Sequence, residues 1–160
     1  MSRTTFSGPV RAGTNRYAPY QNVGALVITQ STAFAFTAAG TTTNNIYIPA
    51  GSKILTMHFD TTAAFTGGTG AVTVGNVASG TQYASSTTVT SAGRVMPTYT
   101  AAQLTNMLAT PVDVSAATTT QNSVSTIAVT AVAGTGVTAG KLVVTITYVQ
   151  SDDRNAYNQQ

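Results

Sequence analysis

The chain contains no cysteine, no tryptophan and no glutamate. The missing cysteine excludes a disulfide framework and any thiolate metal site, and leaves no mark of redox compartment. The missing glutamate matters for fold class. Helical surfaces draw on Glu, Lys, Gln and Arg, yet here Lys occurs only at Lys53 and Lys141. A largely helical body is therefore excluded. Charge is scarce altogether, at 7% of residues, against about 25% in ordinary soluble domains. No apolar run approaches the ~18 residues that a membrane span needs. Met1 is followed by Ser-Arg-Thr-Thr rather than by an apolar stretch, so no signal peptide is expected. The expectation is a protein made in a cytoplasm that stays soluble or joins an assembly.

What is present points to strands. Thr fills 32 of the 160 positions and stands beside abundant Val, Ile, Phe and Tyr. β-branched side chains are stiff at χ1 and suit a pleated surface. At 42% apolar, the chain can form a core, and 160 residues make one domain. Strand patterns fall at Val23–Gln30, Ala33–Thr37, Asn45–Pro49, Lys53–Asp60, Gly70–Val74 and Thr87–Thr90. In Lys53–Asp60 the alternation assigns Leu55, Met57 and Phe59 to one face and Ile54, Thr56 and His58 to the other. Asn122–Val132 and Lys141–Val149, joined through AGTGVTAG, read as a long β-hairpin.

One helix is expected, over Thr100–Ala109. Thr100 and Gln103 have capping-box spacing, and Leu104, Met107 and Leu108 would form its apolar stripe. Pro111 would end it. Some eight strands with glycine-rich turns imply an all-β fold: an antiparallel β-sandwich of jelly-roll type, or a small barrel. The division is an extended N-terminal arm over residues 1–22, the sandwich over 23–150 and a polar tail over 151–160.

The arm concentrates the chain's positive charge. Arg3, Arg11 and Arg16 precede any acid, the first being Asp60. The pI near 9.5 thus reflects the arm rather than a basic domain. Three spaced arginines can be a solvated tail or an arm that docks on an acidic protein surface. Nucleic-acid binding ranks below both, because no basic stripe continues into the domain. Gly8, Pro9, Gly13 and Pro19 break regular elements. Phe6, Val10, Tyr17 and Tyr20 nevertheless make the arm too apolar for a typical disordered tail. Tyr17, Tyr20 and Tyr157 fit interface anchors as well as local packing.

Catalytic constellations are hard to assemble from one His and four Asp. Asp60 and Asp113 would be the carboxylate pair of a glycosidase, but both sit where Asp serves turns. Asp152 and Asp153 are adjacent and would face opposite ways on a strand. A Ser-His-Asp triad would need His58, with no G-x-S-x-G elbow to support it. A lone His cannot hold tetrahedral zinc. Gly134-x-Gly136-x-x-Ala139 matches a dinucleotide fingerprint formally, yet it links strand to strand, where phosphate cradling needs a strand-to-helix turn. No enzyme, cofactor or metal function is expected.

The opening TTFSGPVRAGT, the block IYIPAGSKILTMHFDTTAAFTGG and the following VTVGNVASGTQYAS resemble small virion structural proteins of tailed bacteriophages. The resemblance spans most of the chain through loose motifs. It implies a head decoration (cement) protein, often a homotrimer, seated on the capsid surface of the virion at joints between major capsid protein subunits. Minor tail or head-fibre components belong to the same resemblance. The contact residues it would place on the shell are Arg3, Phe6, Pro9, Val10, Arg11, Arg16, Tyr17 and Tyr20. The arm would tie the module to neighbouring subunits, with no nucleic acid and no membrane among its partners. A carbohydrate-binding jelly roll is the rival, expected to show exposed aromatics with Asn or Asp on one face.

Overall fold

A computed structural model describes residues 26–49, 52–108 and 124–150. In chain order the elements are β1 (Leu26–Phe36), β2 (Gly40–Pro49), β3 (Lys53–Thr66), β4 (Gly70–Gly75), β5 (Ala84–Thr88), β6 (Gly93–Val95), α1 (Ala101–Leu108), β7 (Val124–Ala133) and β8 (Ala139–Gln150). They form an antiparallel β-sandwich. One sheet has the order β1-β8-β3-β6, the other β2-β7-β4-β5. Two separate sheets around a shared core make this a sandwich rather than a closed barrel.

The alternation anticipated from the sequence sets the core. Phe34 and Phe36 of β1 and Leu142, Val144, Ile146 and Tyr148 of β8 point inward from the first sheet. Ile46, Ile48, Val72, Val74, Ile127 and Val129 meet them from the second. Each such side chain adds roughly 1.5–3 kcal/mol by leaving water.

Three expectations are corrected. First, the last two strands are not a hairpin: β7 pairs with β2 and β4, while β8 pairs with β1 and β3. Alternation reports that a segment is a strand, but not which sheet it joins. Among the described residues, only β4 and β5 are consecutive strands that pair with each other. Second, β3 does not keep one alternation. A bulge between Ile54 and Thr56 adds a residue and reverses the parity. Ile54 therefore lies inside with Met57 and Phe59, and Leu55 is exposed. Third, the α1 stripe is not the one expected. Gln103 and Met107 are buried, and Leu104 and Leu108 face outward.

The strands also run longer than their patterns. β1 is continuous through the two segments read separately, β2 begins at Gly40, and β3 extends to Thr66. β6 carries no sequence signal, since its three residues are too short for one. The capping box of α1 forms as read: the Gln103 N–H donates to Thr100 Oγ1 at 3.2 Å, and the Thr100 N–H donates to Gln103 Oε1 at 2.9 Å.

The two ends of the sandwich differ. At one end the β3–β4 and β7–β8 connections interlock. The Gly134 N–H donates to the Thr69 carbonyl at 2.8 Å, and the Thr138 N–H to the Thr66 carbonyl at 2.9 Å. Gly67 (φ 84°) and Gly136 (φ 87°) sit in the left-handed region, and a Cβ on Gly67 would collide with the Gly136 carbonyl. Just beneath, the Phe65 ring lies between Gly70 and Gly140, where an added Cβ on either would stand 2.7 Å from ring carbons. Phe36 tilts against the same ring at 5.8 Å. The opposite end receives the start of β1, the ends of β2 and β8, and α1.

Candidate interaction surfaces

The site residues expected from the sequence, Arg3, Phe6, Pro9, Val10, Arg11, Arg16, Tyr17 and Tyr20, lie outside the described residues, as do Asp113, Asp152, Asp153 and Tyr157. What the described residues offer are two flanks, one polar cluster and one apolar end.

On the first flank the edge strands β1 and β2 lie side by side, 11 and 10 residues long. Among the described residues, nothing pairs with their free sides. Each is touched by a side chain from the other sheet. Asn44 Nδ2 of β2 donates to the Ala33 carbonyl at 3.1 Å and to Thr32 Oγ1 at 2.9 Å. Gln30 Nε2 of β1 donates to the Tyr47 carbonyl at 3.2 Å and to the Tyr148 hydroxyl at 2.8 Å. These reciprocal clasps fix the two edges to one another and satisfy one edge carbonyl on each. The remaining edge groups are open to water or to an added strand.

The second flank is built differently. β5 and β6 are only 5 and 3 residues long, and α1 covers their side of the molecule. Gln103 Nε2 donates to the Thr81 carbonyl and to Ser85 Oγ at 2.9 and 2.8 Å. Asn106 Nδ2 donates to the Gln82 carbonyl at 3.0 Å. The Tyr99 hydroxyl accepts from the Met57 N–H at 3.2 Å, beyond the point where β6 stops pairing. Burial raises the pKa of Tyr99 above its usual 10.0.

The polar cluster lies on the outer face of the β1-β8-β3-β6 sheet. His58 and Asp60 are two residues apart on β3 and so share a face. Arg94, opposite Asp60 on β6, grips the carboxylate with Nε at 2.7 Å and Nη2 at 3.0 Å. His58 Nε2 lies 3.5 Å from the same carboxylate. The Arg94 hydrogen bonds hold the Asp60 carboxyl below its usual 3.8, partial burial opposes this, and the positive charge of Arg94 and the neighbouring His58 add to the lowering. A carboxylate engaged on both oxygens by Arg is a poor general base. Beside the cluster, the hydroxyls of Ser31 and Thr145 pair at 2.9 Å and those of Thr29 and Thr147 at 3.2 Å. Hydroxyl side chains, with the partly exposed Val143 and Val149 of β8, thus flank the ion pair on this face. Among the described residues, no group of three or more His, Cys, Asp or Glu could hold a metal.

Comparison with protein-family models, with curated proteins and with solved structures finds no match. The functional reading therefore stands on the residues themselves.

The apolar end is the feature that sequence reasoning missed. Among the described residues, nine large hydrophobic ones are exposed, and eight of them lie towards the end where α1 packs: Leu26, Val27, Tyr47, Leu55, Val77, Met96, Leu104 and Leu108. Val132 is the exception. The eight are spread over both flanks, Leu26, Val27 and Tyr47 on β1 and β2 and Leu104 and Leu108 on α1, and single exposed apolar residues are ordinary. Tyr47 is the one aromatic among them, beside Asn45 on β2.

Proposed function

We propose that the protein is a structural virion component that binds and stabilises a capsid shell, in the manner of a decoration or cement protein. Residues 1–22 and the sandwich edges would make the contacts with the major capsid protein. The observation that carries this reading is the β1/β2 flank: two long edge strands held in place, with backbone groups left to receive a strand. Strand addition supplies main-chain hydrogen bonds without requiring surface charge, and this surface has almost none. Arginines at positions 3, 11 and 16 can pair bidentately with carboxylates on the shell. Repetition over a symmetric lattice multiplies a weak contact into avidity. The copies would act as a homo-oligomer, a trimer in this reading, on the outer surface of the virion.

The strand order supports a jelly-roll reading. Hydrogen-bonded pairs are β1 with β8, β2 with β7, β3 with β6 and β4 with β5. That is one long antiparallel ribbon, closed by the β4–β5 connection and wrapped so that successive pairs fall in alternate sheets, the double Greek key found in viral capsid and lectin domains. The lectin branch is the weaker alternative here, since Tyr47 stands without a second exposed aromatic among the described residues. A role in a tail or a head fibre uses the same surfaces.

The test is co-sedimentation with undecorated phage shells. Wild-type protein is expected to saturate the shells, and a variant lacking residues 2–20 to lose binding while keeping the same far-ultraviolet spectrum and melting profile. A truncated protein that coats shells as the full chain does would refute the role of the arm. A glycan array that retains the protein at defined sugars would move the reading to the lectin branch.

A further inference from the structure

The two outer faces of the sandwich differ in charge. Among the described residues the charged side chains are Lys53, Asp60, Arg94 and Lys141, and the register puts all four on the outer face of the β1-β8-β3-β6 sheet. Lys53 stands opposite Val149, and Lys141 lies two residues before Val143, on the side of β8 that faces away from the buried Leu142, Val144, Ile146 and Tyr148. Asp60 stands opposite Val143, and Arg94 opposite Asp60. His58, the chain's one histidine, shares the face opposite Thr145. The outer face of the β2-β7-β4-β5 sheet has no charged side chain among the described residues; one of its rows is Thr43, Thr130 and Thr73. That face is also partly roofed by the β4–β5 connection, whose Ser79 N–H donates to Thr130 Oγ1 at 2.8 Å, and Ala128 and Thr130 of β7 are buried beneath it. On the charged face, Val143, Thr147 and Val149 of β8 stay half-buried.

Asp60 and Arg94 neutralise one another through their two-pronged contact, which leaves Lys53 and Lys141 as the charge of the face. Both are exposed, and neither has an acidic partner among the described residues. Lys141 and Val149, the partner of Lys53, are eight residues apart on β8, so roughly 27 Å separates the two lysines at the usual strand rise. Between them lie the hydroxyls of Thr29, Ser31, Thr145 and Thr147, paired across the strands. Short hydroxyl side chains are ordered at little entropic cost, and they donate or accept as a partner requires. The complement of this face is a surface with a carboxylate towards each end and neutral polar groups between. Nucleic acid calls for a denser basic stripe, and an anionic membrane for clustered Lys and Arg.

We propose that the outer face of the β1-β8-β3-β6 sheet is turned towards an acidic protein surface, with Lys53 and Lys141 each meeting a carboxylate, and that the uncharged face of the other sheet is turned away from it. This rests on the reading that the protein docks on a shell, and it adds which face the shell meets. Exposed ion pairs are weak one by one. The lysines therefore act mainly on encounter and orientation, and the contact weakens as salt screens it.

The experiment is co-sedimentation of the full chain with undecorated phage shells at low and high salt, with two double variants of equal net charge. Lys53→Gln with Lys141→Gln removes two positive charges from the proposed face. Ser86→Asp with Thr88→Asp adds two negative charges at exposed positions of β5, in the other sheet. All four sites are exposed, so both variants should melt as wild type does. The lysine variant is expected to bind about threefold to tenfold more weakly at low salt and to depend less on salt, while the β5 variant binds as wild type. On wild type, a carbodiimide that joins amines to carboxylates should link Lys53 or Lys141 to the shell protein; the chain has no other lysine, so the linked peptide names the contact. Equal binding by wild type and the lysine variant, with no such link, overturns the face and leaves shell binding standing. Equal weakening by the two variants overturns it as well, since net charge alone then decides. A link from Lys53 to Asp152 or Asp153 of its own chain, in place of one to the shell, overturns the two-lysine contact. Duplex DNA or phosphatidylserine vesicles that hold wild type and release the lysine variant, with shell binding unaltered, overturn the protein partner. A wild type that leaves the shells bare overturns the shell reading and this inference together.

Discussion

The two ends of the sandwich use opposite devices. Where the β3–β4 and β7–β8 connections interlock, the structure is closed by backbone: glycines at 67 and 136 pass within contact of each other, and Phe65 fills the space between Gly70 and Gly140. Among the described residues, nothing large and apolar is left outside there except Val132. At the α1 end, closure is by side chain: Gln103, Asn106 and Tyr99 bridge the edges of β3 and β5, and eight large apolar residues stay exposed. The difference teaches that close backbone approach closes one end and side-chain hydrogen bonds close the other, so substitutions at the two ends should report different quantities.

The sharpest way to break the first end is Phe65→Ala. Removing a buried aromatic ring costs about 3–5 kcal/mol, and here it also leaves two glycines facing a void. Denaturant unfolding should show a large loss of midpoint; a loss under about 1 kcal/mol would mean that the ring is not the closure we describe. Gly140→Ala comes next. The new methyl has to enter space held by the ring, and overpacking costs about 1–3 kcal/mol. Gly40→Ala is the control, because a Cβ there meets nothing within 4 Å. Equal effects at positions 40 and 140 would contradict the close approach.

These elements also show how far the sequence could be read. The class, most of the strand positions and the capping box at Thr100 and Gln103 were legible, because each depends on residues near one another in the chain. Leu142, Val144, Ile146 and Tyr148 lie inside as their alternation implies. The β7–β8 hairpin was misread because pairing is decided by contacts far apart in sequence. The bulge at Leu55 gave no local sign, and one added residue exchanged the faces of Ile54 and Leu55. The outward turn of Leu104 and Leu108 was hidden for a related reason: it is set by what Gln103 finds at Thr81 and Ser85, not by the helix's own pattern. Asp60 and Arg94 are 34 residues apart, and only the β3–β6 register joins them. The arm, which carried the functional expectation, lies outside the described residues, so the surfaces discussed above came from the fold instead.

Gln103→Ala tests the second end. It removes a capping partner, worth about 1 kcal/mol, and leaves the Thr81 carbonyl without its donor, a further ~1–2 kcal/mol where burial is high. The expected total is smaller than for Phe65→Ala and similar to Gly140→Ala at most. Gln103→Glu sharpens the comparison: it keeps the acceptor for the Thr100 N–H but sets a buried carboxylate against the Thr81 carbonyl, so at neutral pH its loss should match or exceed that of Ala. If Glu is milder than Ala, the cap rather than the bridge to Thr81 and Ser85 fixes the helix.

The smallest effect is expected at the ion pair that holds β6, and pH separates it from packing. Arg94 keeps the Asp60 carboxyl below its usual 3.8, so the folded protein binds that proton less readily than the unfolded chain. The sign follows: the pair adds stability at pH values above the usual carboxyl pKa and loses it as pH falls through the lowered one. Wild type and Arg94→Ala should therefore melt apart at neutral pH and converge in strong acid, with the change confined below about pH 4. The separation should be slight, because Arg94 is well exposed and surface pairs are screened by water and salt. A gap that persists undiminished as the carboxylate is protonated in strong acid would mean that β6 is held by the packing of Val95 against the core and by its backbone pairing with β3, with the Asp60–Arg94 contact merely resting on top.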